Sequence, residues 1–216
     1  GNYYEFAENL VHLGVWSVRD ICAYDQLAKA MQGADLVYHC AATVSFKNLG
    51  KNQIIDNNVR GTSNIVKGSL ENNIKKLCHV SSNAALGAND GEFMVNETHE
   101  WNSEVHHSPY ATSKYLSEKE VWKGISNGLN AVIVNPTIIL GPGDWSRGSS
   151  SFFSQIDRGM LFCTSGTTGY VDVNDVVNSM ITLMRSGISG ERFIINADNP
   201  TYEEFFTMVA VSVKAR

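Results

Sequence analysis

The stretch Lys76-Leu-Cys-His-Val-Ser-Ser-Asn-Ala-Ala-Leu-Gly87 decides the fold of this chain. It is typical of a buried strand that ends in two hydroxyl residues and then turns through small residues. In an open parallel sheet, ligands bind beyond the carboxyl ends of the strands. Ser82 therefore lies where a catalytic hydroxyl group could hold the oxygen atom of a substrate.

Strand and helix patterns alternate on both sides of this stretch, which predicts a doubly wound α/β sheet. Further strands are expected at Val15–Val18, Leu36–Cys40, Ala131–Asn135 and Arg192–Asn196. Helices are expected at Leu27–Met31, Ile55–Leu70, Tyr110–Trp122, Val173–Met184 and Tyr202–Val213. The longest helix has a stripe of residues spaced for one face, formed by Ile55, Val59, Thr62, Val66 and Leu70.

The segment Tyr110-Ala-Thr-Ser-Lys114 places a phenol and an ammonium group one helical turn apart. An adjacent ammonium group favours the phenolate, so we expect Lys114 to lower the pKa of Tyr110. That arrangement suits hydride chemistry between a carbonyl and an alcohol. The same spacing also occurs by chance on surface helices with a solvated lysine. The Tyr110–Lys114 pair therefore indicates a catalytic site only together with the motifs around it.

The composition favours a soluble globular protein. The chain has 216 residues, of which 43% are hydrophobic and 18% charged. No run approaches the roughly 18 apolar residues of a membrane span. The formal net charge is −5, from 17 basic and 22 acidic residues, without a basic block. Neither nucleic acid nor a membrane is therefore expected as a partner.

Four widely spaced cysteines, Cys22, Cys40, Cys78 and Cys163, are interpreted as small core residues of a reducing compartment rather than as disulfide partners. The six histidines are scattered, and we expect no metal site. No signal peptide is visible at the start of the sequence. The expected location is the cytoplasm.

Seven short segments resemble, in order along the chain, the extended branch of the short-chain dehydrogenase/reductase superfamily, the NAD-dependent epimerase/dehydratase family. They are Val18–Ile21, Val37–Ala42, Asn58–Thr62, His79–Gly87, Ser108–Lys114, Asn135–Gly143 and Tyr170–Val176. The resemblance covers nearly the whole chain. It implies a Rossmann-type sheet, an NAD or NADP cofactor and an enzymatic activity.

The resemblance implies a catalytic set of Ser82, Tyr110 and Lys114. Tyr110 would exchange a proton with the substrate oxygen, Lys114 would bind the nicotinamide ribose, and Ser82 would polarise the carbonyl. Asp20 would accept a hydrogen bond from adenine, and Asn58 would brace its helix beside the cofactor. The implied cofactor contacts are Asp20, Ile21, Cys40, Ala41, Ala42, Asn58, Tyr110, Lys114, Pro136 and Thr137.

Simpler interpretations of several positions stay open. Asp20 also fits a helix cap, and Cys40–Ala42 also fits a tight turn after a strand. Pro136 also fits a strand stop. Asp172 and Asp175 flank a predicted helix start and are interpreted as capping residues.

Departures from the patterns of the resembled family narrow the substrate. Asn83 and Ala84 replace the acidic pair of sugar-nucleotide dehydratases, and Thr167–Tyr170 lacks the arginine that epimerases often carry before this segment. Asn135–Gly143 looks more like the dihydroflavonol-reductase-like and 3β-hydroxysteroid-dehydrogenase-like group. We expect an NAD(P)-dependent oxidoreductase that reduces a ketone or aldehyde, or oxidises the corresponding alcohol, by hydride transfer. The alternatives are a nucleotide-sugar epimerase and a non-catalytic dinucleotide-binding sensor or scaffold.

The resemblance also has consequences for the domains. Residues 1–135 would form a dinucleotide-binding domain that lacks its first βαβ unit and its glycine-rich turn. The sequence therefore does not distinguish NAD from NADP. It does not identify the substrate either. Residues 136–216 would combine a substrate-binding region with a later strand of the sheet, in a C-terminal part that stops early. The protein is expected to form a homodimer through Ile55–Leu70 and Tyr110–Trp122, with Leu116 and Trp122 as outward apolar residues.

Overall fold

Four parallel strands form the main sheet, in the spatial order β1-β2-β3-β6. The computed structural model describes residues 20–44, 50–87, 94–143, 148–159 and 164–213. In chain order the helices and strands are α1 (Tyr24–Met31), β1 (Leu36–His39), α2 (Lys51–Glu71), β2 (Lys76–Val80), α3 (Pro109–Ser126), β3 (Ala131–Pro136), β4 (Ile138–Leu140), α4 (Ser151–Asp157), β5 (Tyr170–Asp172), α5 (Val173–Arg185), β6 (Glu191–Ile195) and α6 (Tyr202–Val213). Short 3₁₀ turns span Asn83–Leu86 and Gly148–Ser150.

The predicted α/β fold with a parallel sheet is confirmed. The four strands of the main sheet lie where the sequence predicts them, with ends that differ by one or two residues. The strand predicted at Val15–Val18 lies outside the described residues. The parallel pair of β4 and β5 and the helix α4 are additions to the prediction.

Apolar side chains cover both faces of the sheet, as the continuous apolar runs of β2 and β3 require. Helices α1, α2 and α3 cover one face, where the buried residues are Leu27, Met31, Ile65, Val66, Ile74, Leu77, Val121, Leu129, Ala131 and Ile133. Helix α5 covers the other face, where they are Cys78, Val132, Val134, Val171, Val176, Met180, Leu183 and Met184. Because helices cover both faces of the sheet, polar groups can contact a ligand at the carboxyl ends of the strands.

The cysteines divide between the core and the surface. Cys78 is buried in the core, as predicted, and Cys22 is half-buried. Cys40, which was also expected in the core, is exposed, because it follows the last residue of β1. All three are free thiols. Cys163 lies outside the described residues.

The buried face of α2 matches the predicted stripe only in part. Thr62 and Val66 are buried as predicted. At the start of the helix, Ile54 and Asn58 are buried in place of Ile55 and Val59, which are half-buried. The polar members of this face have partners: Thr62 Oγ1, for example, is 2.9 Å from His39 Nε2. Apolar spacing alone misplaces a face whose buried positions include hydrogen-bonded polar groups.

A smaller apolar cluster lies where β4, β5, α4 and α6 meet. Its buried residues are Ile156, Tyr170, Phe205 and Val209. The rings of Tyr170 and Phe205 stack with centroids 4.1 Å apart. Asp172 caps α5, because its carboxylate accepts a hydrogen bond from the Asn174 amide at 2.7 Å, as interpreted from the sequence.

Neither residue expected to face a partner is fully exposed. Trp122 packs against the core between the helices and the sheet, and Leu116 is half-buried. Among the described residues, no helix has both the length and the apolar character that crossing a membrane requires.

Candidate active site

Ser82 begins the turn that follows β2. It is the N-cap of the 3₁₀ turn, and its Oγ accepts a hydrogen bond from the Ala84 amide at 3.2 Å. The turn closes at Gly87, which has a φ of 64°, where a Cβ would come within 2.7 Å of Trp101 Cε3. Glycine is therefore required there both by the backbone and by the ring above it. This turn holds the Ser82 hydroxyl at the carboxyl end of the sheet.

Tyr110 lies in the first turn of α3, a helix that packs against the turn begun by Ser82. The helix start is set by Ser108, whose Oγ accepts a hydrogen bond from the Ala111 amide at 3.1 Å, and by Pro109 at the first helical position. Burial raises the pKa of Tyr110, and the influence of the Ser82 hydroxyl opposes that rise.

The expected lowering of the Tyr110 pKa by Lys114 is wrong for this structure. Burial outweighs the other influences on the phenol, and Lys114 is not among the groups that shift its pKa. The ammonium group instead donates to the carbonyl oxygen of Val80 at 2.9 Å. Tyr110 is thus held as a neutral phenol.

Lys114 is almost fully buried, with 4% of its surface exposed. Burial lowers its pKa to about 8, and the electrostatic influence of Glu118 and, after it, Cys40 opposes this shift. A buried lysine with a pKa in this range changes charge near neutral pH. Ser82, Tyr110 and Lys114, called the strand-end site below, therefore combine a phenol, a hydroxyl and a titratable amine at the end of β2.

A second feature is a cleft of about 320 Å³ beside β1 and α2. Its lining, called the Asp20 cleft below, consists of Asp20, Ile21, Cys22, Ala41, Ala42, Thr43, Asn57, Asn58 and Arg60. Five of the predicted cofactor contacts are thus brought together, whereas Cys40 is not part of the lining. Asp20 Oδ1 accepts a hydrogen bond from the Cys22 amide at 2.8 Å.

Asn58 connects the Asp20 cleft to the helix that carries Tyr110. Its side chain donates to the Thr43 carbonyl and to Ser113 Oγ, both at 3.0 Å, and accepts from the Thr43 amide at 2.7 Å. Ser113 Oγ in turn donates to the Tyr110 carbonyl at 2.8 Å. Asn58 is 3% exposed, and its contacts are those of a bracing residue.

Pro136 ends β3, and Thr137 follows it between β3 and β4. The Thr137 amide donates to the Ile195 carbonyl at 3.1 Å, so this segment is tied to the end of β6. Neither residue lines the Asp20 cleft. Both lie at the carboxyl end of β3, the neighbour of β2 in the sheet.

Two buried histidines were missed by the sequence reasoning. His39 and His79 face each other from β1 and β2, with ring centroids 5.0 Å apart. Burial lowers the pKa of His39 to about 4 and that of His79 well below its usual value, and the charge of Lys114 acts in the same direction. Both rings are therefore neutral beside the buried amine.

A buried ionic contact was missed as well. Glu118 is 2% exposed, lies one turn after Lys114 on α3, and is 3.4 Å from Arg192 Nη1. Its other oxygen accepts from Asn135 Nδ2 at 2.5 Å. The sequence indicates only that Glu118 shares the helix face of Tyr110 and Lys114 at intervals of four residues, and it does not indicate the pairing with Arg192.

No group of three or more metal-binding side chains occurs in the part of the chain that the structure describes.

Comparison with known proteins identifies the family. The sequence model of the "NAD dependent epimerase/dehydratase family" matches residues 6–196. Sterol demethylase protein B of Methylococcus capsulatus is 29% identical over 174 residues, which are 80% of this chain and 53% of that protein. Cinnamoyl-CoA reductase 1 of Petunia hybrida is 25% identical over 186 residues, which are 81% of this chain and 55% of that protein.

Among solved structures, the crystal structure of gox2253 superposes with a TM-score of 0.88 at 27% identity, covering 97% of this chain and 64% of that one. The relatives include dihydroflavonol-reductase-like and 3β-hydroxysteroid-dehydrogenase-like proteins, the group to which Asn135–Gly143 pointed. The chain spans about half the length of the two curated relatives described above.

Proposed function

The chain belongs to the NAD-dependent epimerase/dehydratase family, and on this premise we propose that it acts as an NAD(P)-dependent oxidoreductase on a ketone or aldehyde, or on the corresponding alcohol. The observation that carries the proposal is the placement of Tyr110 and Ser82 on two elements that pack together at the end of β2, with the buried amine of Lys114 held at the Val80 carbonyl. A neutral phenol and a hydroxyl that meet at a strand end can both address one carbonyl oxygen.

The residues of the strand-end site have separate tasks in this proposal. When bound, the nicotinamide supplies the hydride for reduction or accepts it in oxidation. Tyr110 gives its proton to the carbonyl oxygen, and Ser82 donates a hydrogen bond to the same oxygen. The raised pKa of Tyr110 keeps the phenol protonated at neutral pH, which suits a proton donor for reduction.

Lys114 would hold the ribose hydroxyls next to the nicotinamide. Its ammonium group has one observed acceptor, the Val80 carbonyl, and an ammonium group has three donors. Donors therefore remain for two hydroxyl groups. Since the pKa of Lys114 is about 8, most of the protein carries this charge at neutral pH.

The Asp20 cleft fits the adenosine part of the cofactor. Ala41 and Ala42 have short side chains that let a flat ring approach the backbone, and Asp20 can accept from an exocyclic amine. Pro136 and Thr137 would stand beside the nicotinamide at the end of β3. Cys40 remains a proposed contact at the end of β1, although it lies outside the lining of the cleft.

For the substrate, the sequence departures favour a ketone or aldehyde over a nucleotide sugar. The side chains of Asn83 and Ala84 are a carboxamide and a methyl group, so neither supplies an acid or a base for elimination. Cinnamoyl-CoA reductase and 3β-hydroxysteroid dehydrogenase are among the named relatives. These names suggest apolar, often ring-containing substrates.

The test is a reaction panel followed at the absorbance of reduced nicotinamide. The whole protein is given NADH or NADPH with a dihydroflavonol, a cinnamoyl thioester or a 3-ketosteroid, and in the reverse direction NAD or NADP with a 3β-hydroxysteroid. UDP-glucose is tested separately for epimerisation by NMR. Turnover of a carbonyl substrate that Tyr110→Phe abolishes supports the proposal. Epimerisation alone would establish the epimerase alternative, and cofactor binding without any turnover would establish the sensor alternative.

We also propose a cytoplasmic homodimer that associates through α2 and α3. The support is the partial exposure of Leu116 on α3. The half-buried Trp122 already contacts the core and adds little to this face. Light scattering of the whole protein at micromolar concentration distinguishes the dimer from a monomer.

A further inference from the structure

Lys114 and Glu118 hold the same strand end from neighbouring turns of α3. Lys114 donates to the carbonyl of Val80 at 2.9 Å. Glu118 accepts from Asn135 Nδ2, and the same nitrogen donates to the carbonyl of Ser82 at 2.9 Å. Lys114 thus contacts the carbonyl of Val80 directly, and Glu118 reaches the carbonyl of Ser82 through the side-chain amide of Asn135.

Glu118 is itself held by groups from two other elements. Asn135 is on β3, and Arg192, which is mostly buried, is on β6. Arg192 also donates to the carbonyls of Glu97 and His99 at 2.7 Å each, which ties the segment before α3 to the sheet. A carboxylate with 2% exposure is retained in such a place only with good partners.

We propose that Glu118 is a positioning residue of the strand-end site, acting as the buried counter-charge of Lys114 and as the anchor that fixes Ser82 through Asn135. The inference rests on the proposed function for its biochemical meaning, because it concerns the geometry of the groups that would address the substrate. Glu118 reaches these groups only through Lys114 and Asn135.

The groups around Lys114 show why the carboxylate of Glu118 matters for the charge of the ammonium group. The other groups that interact with its charge are Cys40 after β1, which opposes the lowering of the Lys114 pKa, and the neutral rings of His39 on β1 and His79 on β2. Neither histidine is a counter-charge. Glu118 is the first of the two groups that offset the burial of the ammonium.

The test compares Glu118→Gln with Glu120→Gln. Glu120 lies on the same helix and accepts from Ser63 Oγ at 2.8 Å, away from Lys114, so it is a matched control for the loss of one charge on α3. In the whole protein without cofactor, the ionisation of Lys114 is followed by NMR of its side-chain ¹³Cε, assigned by its absence in Lys114→Arg. We expect Glu118→Gln to lower the titration midpoint by about one pH unit and Glu120→Gln to leave it unchanged.

Arg192→Met is the second variant. Removing the guanidinium leaves the carboxylate of Glu118 without its compensating positive charge, so the Lys114 midpoint should rise. Shifts of opposite sign in the two variants are not produced by a general loss of stability. If Glu118→Gln does not fold, this variant decides alone: a raised midpoint supports the proposal, and an unchanged or lowered one overturns it.

A second measurement, the dissociation constant of NADH against pH, separates this proposal from the proposed function. With Glu118→Gln, the alkaline loss of NADH affinity should begin at lower pH than in the wild type and in Glu120→Gln. If wild-type protein does not bind NADH, the proposed function fails while the NMR titration still decides the role of Glu118. Coincident Lys114 midpoints for Glu118→Gln and Glu120→Gln would overturn the positioning role even in an active enzyme.

Discussion

The strand-end site and the Asp20 cleft differ in how completely the fold holds their side chains. Lys114 is 4% exposed, its ammonium group has a backbone acceptor, and Ser82 is fixed by the turn and by Asn135. The Asp20 cleft is lined by residues such as Asp20 and Ala41, which are exposed. In the proposed function, the groups that would transfer protons are thus placed before any ligand arrives, whereas the groups that would recognise the adenosine end of the cofactor remain at the surface.

This difference has a physical reason. A proton donor must lie within hydrogen-bond distance of its target, and small displacements have a large cost in rate. Recognition of adenine tolerates more freedom, because many weak contacts share the binding free energy. Substitutions in the strand-end site should therefore change turnover steeply, and those in the cleft should change affinity moderately.

The largest expected effect is that of Tyr110→Phe. The ring can keep its packing while the only proton donor on it is lost, so turnover should fall by about 10²–10⁴ with little change in cofactor affinity. The measurement is kcat with the best carbonyl substrate of the panel, together with the NADH dissociation constant. Tyr115→Phe on the same helix is the control, and its turnover should stay near that of the wild type. Near-normal turnover of Tyr110→Phe would show that Tyr110 is not the proton donor, and the strand-end site would then not differ from the Asp20 cleft in its effect on turnover.

The next effect concerns Lys114 and pH. Its pKa in the folded protein is about 8, below the ordinary lysine value of 10.5, so between these values the unfolded chain binds more protons than the folded one. The free energy of unfolding that Lys114 contributes therefore rises with pH from about 8 to about 10.5. Cofactor affinity should move in the opposite direction, because the ribose contact requires the ammonium group.

Lys114→Met tests both statements. The variant should lose turnover by about 10²-fold, bind NADH weakly, and show no fall in NADH affinity between pH 7 and pH 9. Its unfolding in urea should also lose the part of the pH dependence that belongs to this amine. Lys119→Met, an exposed lysine on the same helix, is the control. An unchanged pH profile of NADH affinity in Lys114→Met would show that another group titrates.

A third prediction addresses the bridge between the two regions. Asn58→Ala leaves the backbone groups of Thr43 and the hydroxyl of Ser113 without their buried partner. The cost should be about 2–3 kcal/mol in the free energy of unfolding. The measurement is urea unfolding, with the exposed Asn52 on the same helix changed to alanine as the control. Equal stability of the two variants would mean that the two regions are not connected through Asn58.

The sequence allowed the sheet and the strand-end site to be predicted because their signals are local. β2 is an apolar run that ends at hydroxyl residues. Tyr110 and Lys114 are four residues apart, so any helix over this segment places them on one face. The Asp20–Ile21 and Ala41–Ala42 pairs were found through resemblance to a family, and the structure brings them to one cleft.

What the sequence did not reveal depends on contacts between distant segments. Glu118 and Arg192 are 74 residues apart, and nothing in either segment announces their pairing. The pKa of Tyr110 was predicted with the wrong sign, because helical spacing shows the neighbouring charge but not the burial that outweighs it. For the same reason the start of the buried face of α2 was misplaced, since apolar spacing does not include Asn58, whose partners lie in distant segments.

The smallest expected effect lies in the Asp20 cleft. Asp20→Asn keeps an oxygen that can accept from the Cys22 amide, so the local turn and the stability of the protein should be preserved. The charge that would accept from the adenine amine is lost, and NADH affinity should fall by about 3–10-fold with an unchanged kcat. Asp25→Asn, in the first turn of α1 and also exposed, is the matched control and should leave the affinity unchanged. A fall of several hundredfold in kcat for Asp20→Asn would show that the cleft is as tightly coupled to the chemistry as the strand-end site, and would reverse the comparison.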